Sequence, residues 1–112
     1  MRSRLLMVGV AFVSGLIAGV LAAEAWAATV WKVSQRGRNF QVEEIRIVPG
    51  DTIEFLNDDE YLHQIYVKGP DMNFDSAEQA PGQVISLRFR SSGTFEVRCR
   101  IHPKMLLTVT AR

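Results

Sequence analysis

Residues 93–105 read GTFEVRCRIHPKM, a stretch in which apolar and polar residues alternate and then give way to the pattern C-x₂-H-x₂-M. The alternation of Phe95, Val97 and Cys99 predicts a β-strand that carries Cys99 at its end, on the side facing the core. His102 and Met105 follow in the next loop. A thiol, an imidazole and a thioether at this spacing form a set of soft metal ligands, and thiolate and thioether ligands favour copper.

A second histidine would complete a known kind of copper site. Two histidines and one cysteine in a trigonal plane, with a weak axial methionine, make the blue-copper arrangement. The chain has two histidines, and the other one, His63, shares its strand parity with Ile65 and Val67. Both His63 and Cys99 should therefore point inwards at strand ends and meet at one pole of a sandwich. The sequence predicts one type 1 copper ion per chain, with the ligands His63, Cys99, His102 and Met105.

The same residues also allow plainer interpretations. Met105 beside two leucines is typical of core packing, and His102 before Pro103 is typical of an exposed loop. It is the joint pattern that favours a metal. Zinc also accepts Cys and His, but structural zinc sites commonly contain C-x₂-C pairs, which this sequence lacks. The ligand set has no open coordination position, so no enzyme is predicted. The acidic run at residues 58–60 is predicted to be a solvated loop.

The first residues have the pattern of an export signal. Arg2 and Arg4 precede an apolar run over residues 5–23, and Ala25, Trp26 and Ala27 match an A-x-A cleavage site. We therefore expect a Sec-type signal peptide over residues 1–27, and a mature domain over residues 28–112 that resides in the periplasm without a membrane attachment. The alternative is an uncleaved anchor, because the apolar run is about long enough to span a bilayer.

The composition of residues 28–112 narrows the function further. The chain of 112 residues has 13 Lys+Arg and 12 Asp+Glu, and cleavage after residue 27 leaves the two signs balanced. A balanced charge gives no attraction to nucleic acid. One cysteine cannot form an internal disulfide, and a small exported domain often needs a metal or a disulfide to stabilise its core. These features favour a single, metal-stabilised domain, which we expect to be a monomer.

The rest of the mature sequence predicts an all-β sandwich. Short alternating runs are separated by Gly, Pro, Asn and Asp, a pattern typical of many short strands joined by turns. Residues 69–83 are predicted to form a long loop. Strands are predicted near residues 30–33, 45–47, 53–55, 65–67, 85–89, 95–99 and 107–111, with a weaker one at 40–42.

Over residues 45–110 the sequence resembles the cupredoxins, and among them the amicyanin-like and plastocyanin-like proteins. The resemblance lies in the segments PGDTIEF at 49–55, NDD at 57–59 before His63, FDS at 74–76 and GTFEVRC at 93–99. The two residues between His102 and Met105 match amicyanin's spacing. The sequence departs from the family at Gln64, where Asn is usual. It also departs at Arg100, where Thr or Ser is common, and at Leu62, where Pro is frequent.

This resemblance implies a Greek-key β-sandwich with the four ligands named above and a role in single-electron transfer. The implied partners are redox proteins such as a periplasmic dehydrogenase or a c-type cytochrome. Two other functions stay open at this point. A periplasmic copper carrier or buffer would use the same ligands to deliver copper to another protein, and a metal-free adaptor would leave Cys99 reactive.

Overall fold

The computed structural model describes residues 27–69 and 71–112. The predicted signal peptide falls almost entirely outside these ranges. Within these ranges eight strands form, and no helix there is long and apolar enough to cross a membrane. The strands are β1 Val30–Gln35, β2 Glu44–Ile47, β3 Thr52–Asn57, β4 Ile65–Gly69, β5 Met72–Asp75, β6 Val84–Arg88, β7 Gly93–Cys99 and β8 Leu106–Ala111.

The strands form two sheets that share one core, which confirms the predicted all-β sandwich. One sheet has the order β1-β3-β6 and the other has the order β2-β8-β7-β4-β5. The pairs β1–β3 and β2–β8 are parallel, and the other pairs are antiparallel. Alternate residues of each strand point inwards, as in β7, where Phe95, Val97 and Cys99 are buried between exposed or half-buried neighbours.

Two sequence predictions about local structure are wrong. Residues 40–42 form no strand: Phe40 makes an isolated bridge with Gln35, and its ring packs edge-on against Phe55, 5.9 Å between centroids. The predicted loop at 69–83 contains β5, which pairs with β4 and packs Met72 and Phe74 against the core. The turn-forming residues interleaved in β5 concealed its alternation.

Asp51 joins the start of β1 to the turn before β3. Its carboxylate is buried and accepts hydrogen bonds from Thr29 N at 2.8 Å, Trp31 Nε1 at 3.0 Å and Val48 N at 3.0 Å. Hydrogen bonds from Thr29, Trp31 and Val48 lower the pKa of Asp51 below its ordinary value of 3.8. The ionised carboxylate therefore stabilises the folded state.

Asp51→Ala should lower the free energy of unfolding by about 2–3 kcal/mol at pH 7, because three donors lose their acceptor. Since the folded-state pKa is depressed, this contribution is complete well above pH 3.8 and disappears as the pH falls through the folded-state value. Chemical denaturation at several pH values should show wild type and variant converging in acid. Asp71→Ala, at an exposed position, is the control. A gap that stays constant down to the acid limit would contradict this role.

Candidate metal centre

Three of the four predicted ligands lie at the end of β7, just before β4, and in the loop that follows β7. Cys99 is the last residue of β7, and it lies opposite Ile65, the first residue of β4. His63 lies two residues before Ile65, and its backbone forms a bridge with Gln79. His102 belongs to the loop between β7 and β8. His63 and Cys99 are fully buried, as their strand parity predicts, and His102 is half-buried.

The potential metal-binding atoms of these three residues lie close together. Cys99 Sγ lies 3.6 Å from His63 Nδ1 and 3.8 Å from His102 Nδ1, and all three ligand atoms lie within 4.8 Å of one another. A metal bonded to sulfur at about 2.3 Å and to nitrogen at about 2.0 Å would hold those two atoms about 3.5–3.7 Å apart at angles of about 110–120°. The observed spacings therefore fit a bound metal, and the donors fit copper.

Met105 lies at the end of the same loop, immediately before β8. Its side chain is 1% exposed, and its backbone N donates a hydrogen bond to His102 O at 3.0 Å. This bond closes the turn at Pro103 and Lys104. One short loop thus carries His102 and a buried thioether away from the end of β7 and back into the sandwich.

The sulfur of Cys99 is held by the backbone at the start of β4. Gln64 N donates a hydrogen bond to Cys99 Sγ at 3.4 Å, and Arg100 N donates to Gln64 O at 3.1 Å. The hydrogen bond from Gln64 N fixes the sulfur relative to the segment that carries His63. These bonds tie together the segments that carry His63 and Cys99.

Two of the three side chains that depart from the resembled pattern, those of Gln64 and Arg100, form a cluster outside these bonds. Gln64 Nε2 donates to Asp75 Oδ1 at 3.0 Å and to Ser76 O at 2.9 Å. Arg100 pairs with the same carboxylate, Nη2 to Oδ2 at 2.9 Å, and its guanidinium lies 4.2 Å from the Tyr66 ring centroid. Hydrogen bonding to Arg100 lowers the pKa of Asp75. The Asp75 carboxylate thus contacts both Gln64, which follows His63, and Arg100, which follows Cys99.

His63 contacts Asp59, which the sequence predicted to lie in a solvated loop. The side chain of Asp59 is 7% exposed, and its Oδ2 lies 2.8 Å from His63 Nε2. The prediction of a solvated loop is therefore wrong for Asp59, although Asp58 and Glu60 are exposed. Burial raises the pKa of Asp59, but hydrogen bonds from Arg38 N, His63 and Gly37 N together bring it below its ordinary value.

Buried amide groups form a hydrogen-bond network around His63. His63 N donates to Gln79 O at 3.0 Å and Gln79 N donates to His63 O at 2.7 Å. The side chain of Asn57 donates to Gln79 O and to Tyr61 O, and accepts from Asp59 N. Because each of these polar groups is paired, the network can remain inside the sandwich without a large desolvation cost.

His102 is the most accessible of the donors. Burial lowers the pKa of His102, and the nearby charge of Arg38 acts in the same direction. A lowered pKa leaves the imidazole neutral at pH 7, with a lone pair available for a metal. The ring lies 5.0 Å from the His63 ring and 6.3 Å from the Tyr61 ring, centroid to centroid.

Comparison with known proteins places the fold among the cupredoxins. No protein-family model matches the chain. A chloroplastic plastocyanin from Physcomitrium patens is 28% identical over 105 residues, a match that covers 85% of this chain and 62% of the plastocyanin. The chain thus spans less than two thirds of the length of that relative.

Solved structures give the same result. A novel purple cupredoxin from Nitrosopumilus maritimus matches with a TM-score of 0.67 and 19% identity, covering 73% of this chain and 99% of the other. A reduced Cu(I) form of an amicyanin mutant at pH 4 matches with a TM-score of 0.70 and 22% identity, covering 80% and 89% respectively. The fold is that of the cupredoxins, and the resemblance found in the sequence is confirmed.

If the cluster binds copper tightly, copper should raise the melting temperature of the protein. A ligand at a thousandfold excess over its Kd stabilises the folded state by about 4 kcal/mol. In a domain of this size that corresponds to a rise of more than about 15 °C. Calorimetry on the metal-free and copper-loaded mature protein measures the shift. Cys99→Ala should lose most of it, and equal melting temperatures for both wild-type forms would contradict tight binding to the native state.

Proposed function

We propose that this chain, which has the cupredoxin fold, is a periplasmic electron carrier whose type 1 copper is bound by His63, Cys99, His102 and Met105. The observation that carries the proposal is the convergence of the one cysteine and both histidines of the chain, with Sγ 3.6 and 3.8 Å from two Nδ1 atoms. Copper bound there would supply reversible one-electron chemistry between Cu(II) and Cu(I). The predicted signal peptide over residues 1–27 supports export to the periplasm.

The protein residues would serve electron transfer by limiting movement. Cys99 is fixed by strand pairing and by the N–H of Gln64, while His63 is fixed by Asp59 on one side and Gln79 on the other. These contacts hold the donor atoms at the spacing that a metal requires. A site that needs little rearrangement between two oxidation states exchanges electrons with a low barrier, because few atoms must move in the transition state.

The surface beside His102 offers a route to partners. Tyr61, Leu62 and Ile101, which we call the apolar rim, are 43%, 42% and 40% exposed. Leu62 and Ile101 adjoin His63 and His102 in sequence, and the Tyr61 ring lies 6.3 Å from the His102 ring. Transient redox complexes bury little surface, below about 1,200 Å² in total, so a small apolar contact is sufficient. The proposed partners are redox proteins such as a periplasmic dehydrogenase or a c-type cytochrome, with the protein itself acting as a monomer.

The proposal assigns no catalysis to the chain. Three strong donors and an axial thioether would fill the site and leave no position for a substrate, unlike catalytic metal sites, which keep one position open. Within residues 27–69 and 71–112, His63, Cys99 and His102 form the one cluster of potential His, Cys, Asp or Glu ligands.

The spectrum of the copper-loaded protein tests the proposal directly. With one equivalent of Cu(II), the mature protein should absorb intensely at about 600 nm. The absorption would come from charge transfer between the Cys99 thiolate and copper in a trigonal site. Cys99→Ala should abolish this band. A correctly folded, colourless protein with stoichiometric copper would reject the electron carrier and favour a copper carrier or buffer.

Replacing Met105 tests whether this residue is needed to bind copper or only sets the reduction potential. Met105→Leu should retain copper and colour, because the thioether is the weakest donor, but it should raise the reduction potential by removing a donor that favours Cu(II). A tenfold weaker relative hold on Cu(II) would appear as a rise of about 59 mV. Spectroelectrochemistry measures the potential, and Met105→Gln should lower it. Loss of copper from Met105→Leu would show that Met105 has a different role.

A further inference from the structure

Asp59 occupies a special position relative to the proposed copper site. It lies four residues before His63, between β3 and β4, and its Oδ2 is 2.8 Å from His63 Nε2. The other ring nitrogen, Nδ1, faces Cys99 Sγ. When Nδ1 binds a metal, the ring proton lies on Nε2, and this N–H donates a hydrogen bond to the carboxylate. A carboxylate in this position fixes the tautomer and orientation of a ligating histidine and makes its other nitrogen a stronger donor.

The carboxylate is held in turn by a tight turn at residues 36–39. Gly37 N donates to Asp59 Oδ1 at 2.6 Å and Arg38 N donates to Oδ2 at 2.9 Å. Two hydrogen bonds between Arg36 and Asn39, at 2.9 and 3.2 Å, close the turn. Successive backbone N–H groups arranged in this way form a concave binding site for an anion.

The turn presents its two N–H groups through a left-handed backbone conformation at residues 37 and 38. Gly37 has φ of 64° and Arg38 has φ of 57°, and Arg38 is the one non-glycine residue with positive φ among residues 27–69 and 71–112. Left-handed geometry is unfavourable for a residue with a side chain, and it persists where surrounding contacts favour it. Here the contacts are the two hydrogen bonds to Asp59, together with the Arg38 guanidinium, which lies 4.0 Å from the Tyr61 ring centroid.

We propose that Asp59 is a positioning residue for the copper site: its carboxylate holds the His63 ring with Nδ1 towards Cys99 and biases the bound metal towards Cu(II). The orientation of His63 follows from the contacts alone, whereas the bias towards Cu(II) rests on the function proposed above. A fixed negative charge that is largely shielded from water stabilises the more highly charged state of a nearby metal. Asp59 therefore lowers the reduction potential.

Two asparagine variants separate this effect from that of any nearby charge. Asp59→Asn removes the charge but retains an amide oxygen that can accept the Nε2 proton. Asp58→Asn removes the same charge one residue away, at an exposed side chain that contacts Ser34 Oγ instead of the ring. The copper-loaded wild type and both variants are compared by spectroelectrochemistry, after circular dichroism has shown that all three are folded.

Asp59→Asn should reduce the ratio of the Cu(II) and Cu(I) binding constants by about tenfold or more, as changes to residues that support a metal ligand commonly do. A tenfold change reads as a rise of about 59 mV in potential. Asp58→Asn should shift the potential by much less. Equal shifts in the two variants would overturn the proposed bias, because the charge of Asp59 would then act no differently from that of its neighbour.

Nuclear magnetic resonance of the metal-free protein tests the orientation of His63 without copper. The wild-type ring should carry its proton on Nε2, and that proton should exchange slowly with water because it is bonded to Asp59. Exchange should become faster in Asp59→Asn and faster again in Asp59→Ala, and it should stay unchanged in Asp58→Asn. A proton on Nδ1, or exchange that does not depend on Asp59, would overturn the positioning role. A colourless copper complex with the expected ring signals would instead reject only the proposed function and the redox bias.

Discussion

The antiparallel pairing of β4 with β7 is the constraint on which the metal centre depends. It places Cys99 opposite Ile65 and so brings the sulfur beside the segment that carries His63. A shift of one residue in this register would turn Cys99 to the outer face of the sheet, because side chains alternate along a strand. The register is secured by burial, since Ile65, Val67 and Val97 are fully buried and belong to the common core. Apolar packing thus positions polar ligands.

Burying those ligands creates a second requirement, which is to satisfy their remaining polar atoms. The structure meets it locally. The backbone of Gln79 pairs with that of His63, the side chain of Asn57 bonds to Gln79 and Tyr61, and Asp59 accepts the second ring nitrogen of His63. Unpaired, each such group would cost about 1–3 kcal/mol. The supporting residues come from β3 and the loops after β3 and β5, so both sheets contribute to holding one histidine.

The sequence predicted the part of this site that follows from regular patterns. The parity of His63 with Ile65 and of Cys99 with Val97 placed both ligands inside, and C-x₂-H identified the loop. Asp59 was missed because Asp58, Asp59 and Glu60 form an acidic run that was interpreted as a solvated loop. What distinguishes it is the turn at residues 36–39, a contact more than twenty residues away whose Gly37 and Arg38 backbone dihedrals no periodicity reveals. The strand β5 was missed for a similar reason: its pairing with β4 is a tertiary contact that overrides turn-forming residues such as Asn73 and Asp75.

His63, Cys99 and His102 differ in their burial and in the contacts that hold them, so the site is more accessible on the side of His102. His63 and Cys99 are completely buried and tied to paired strands, whereas His102 is half-buried on a short loop beside the exposed Tyr61 and Ile101. Of the two histidines, His102 is therefore the one that solvent can reach. The buried pair is held by strand pairing and hydrogen bonds, and the loop that carries His102 is held by the bond from Met105 N to His102 O. The small sandwich thus combines two buried donors on paired segments with a third donor that is partly open to solvent.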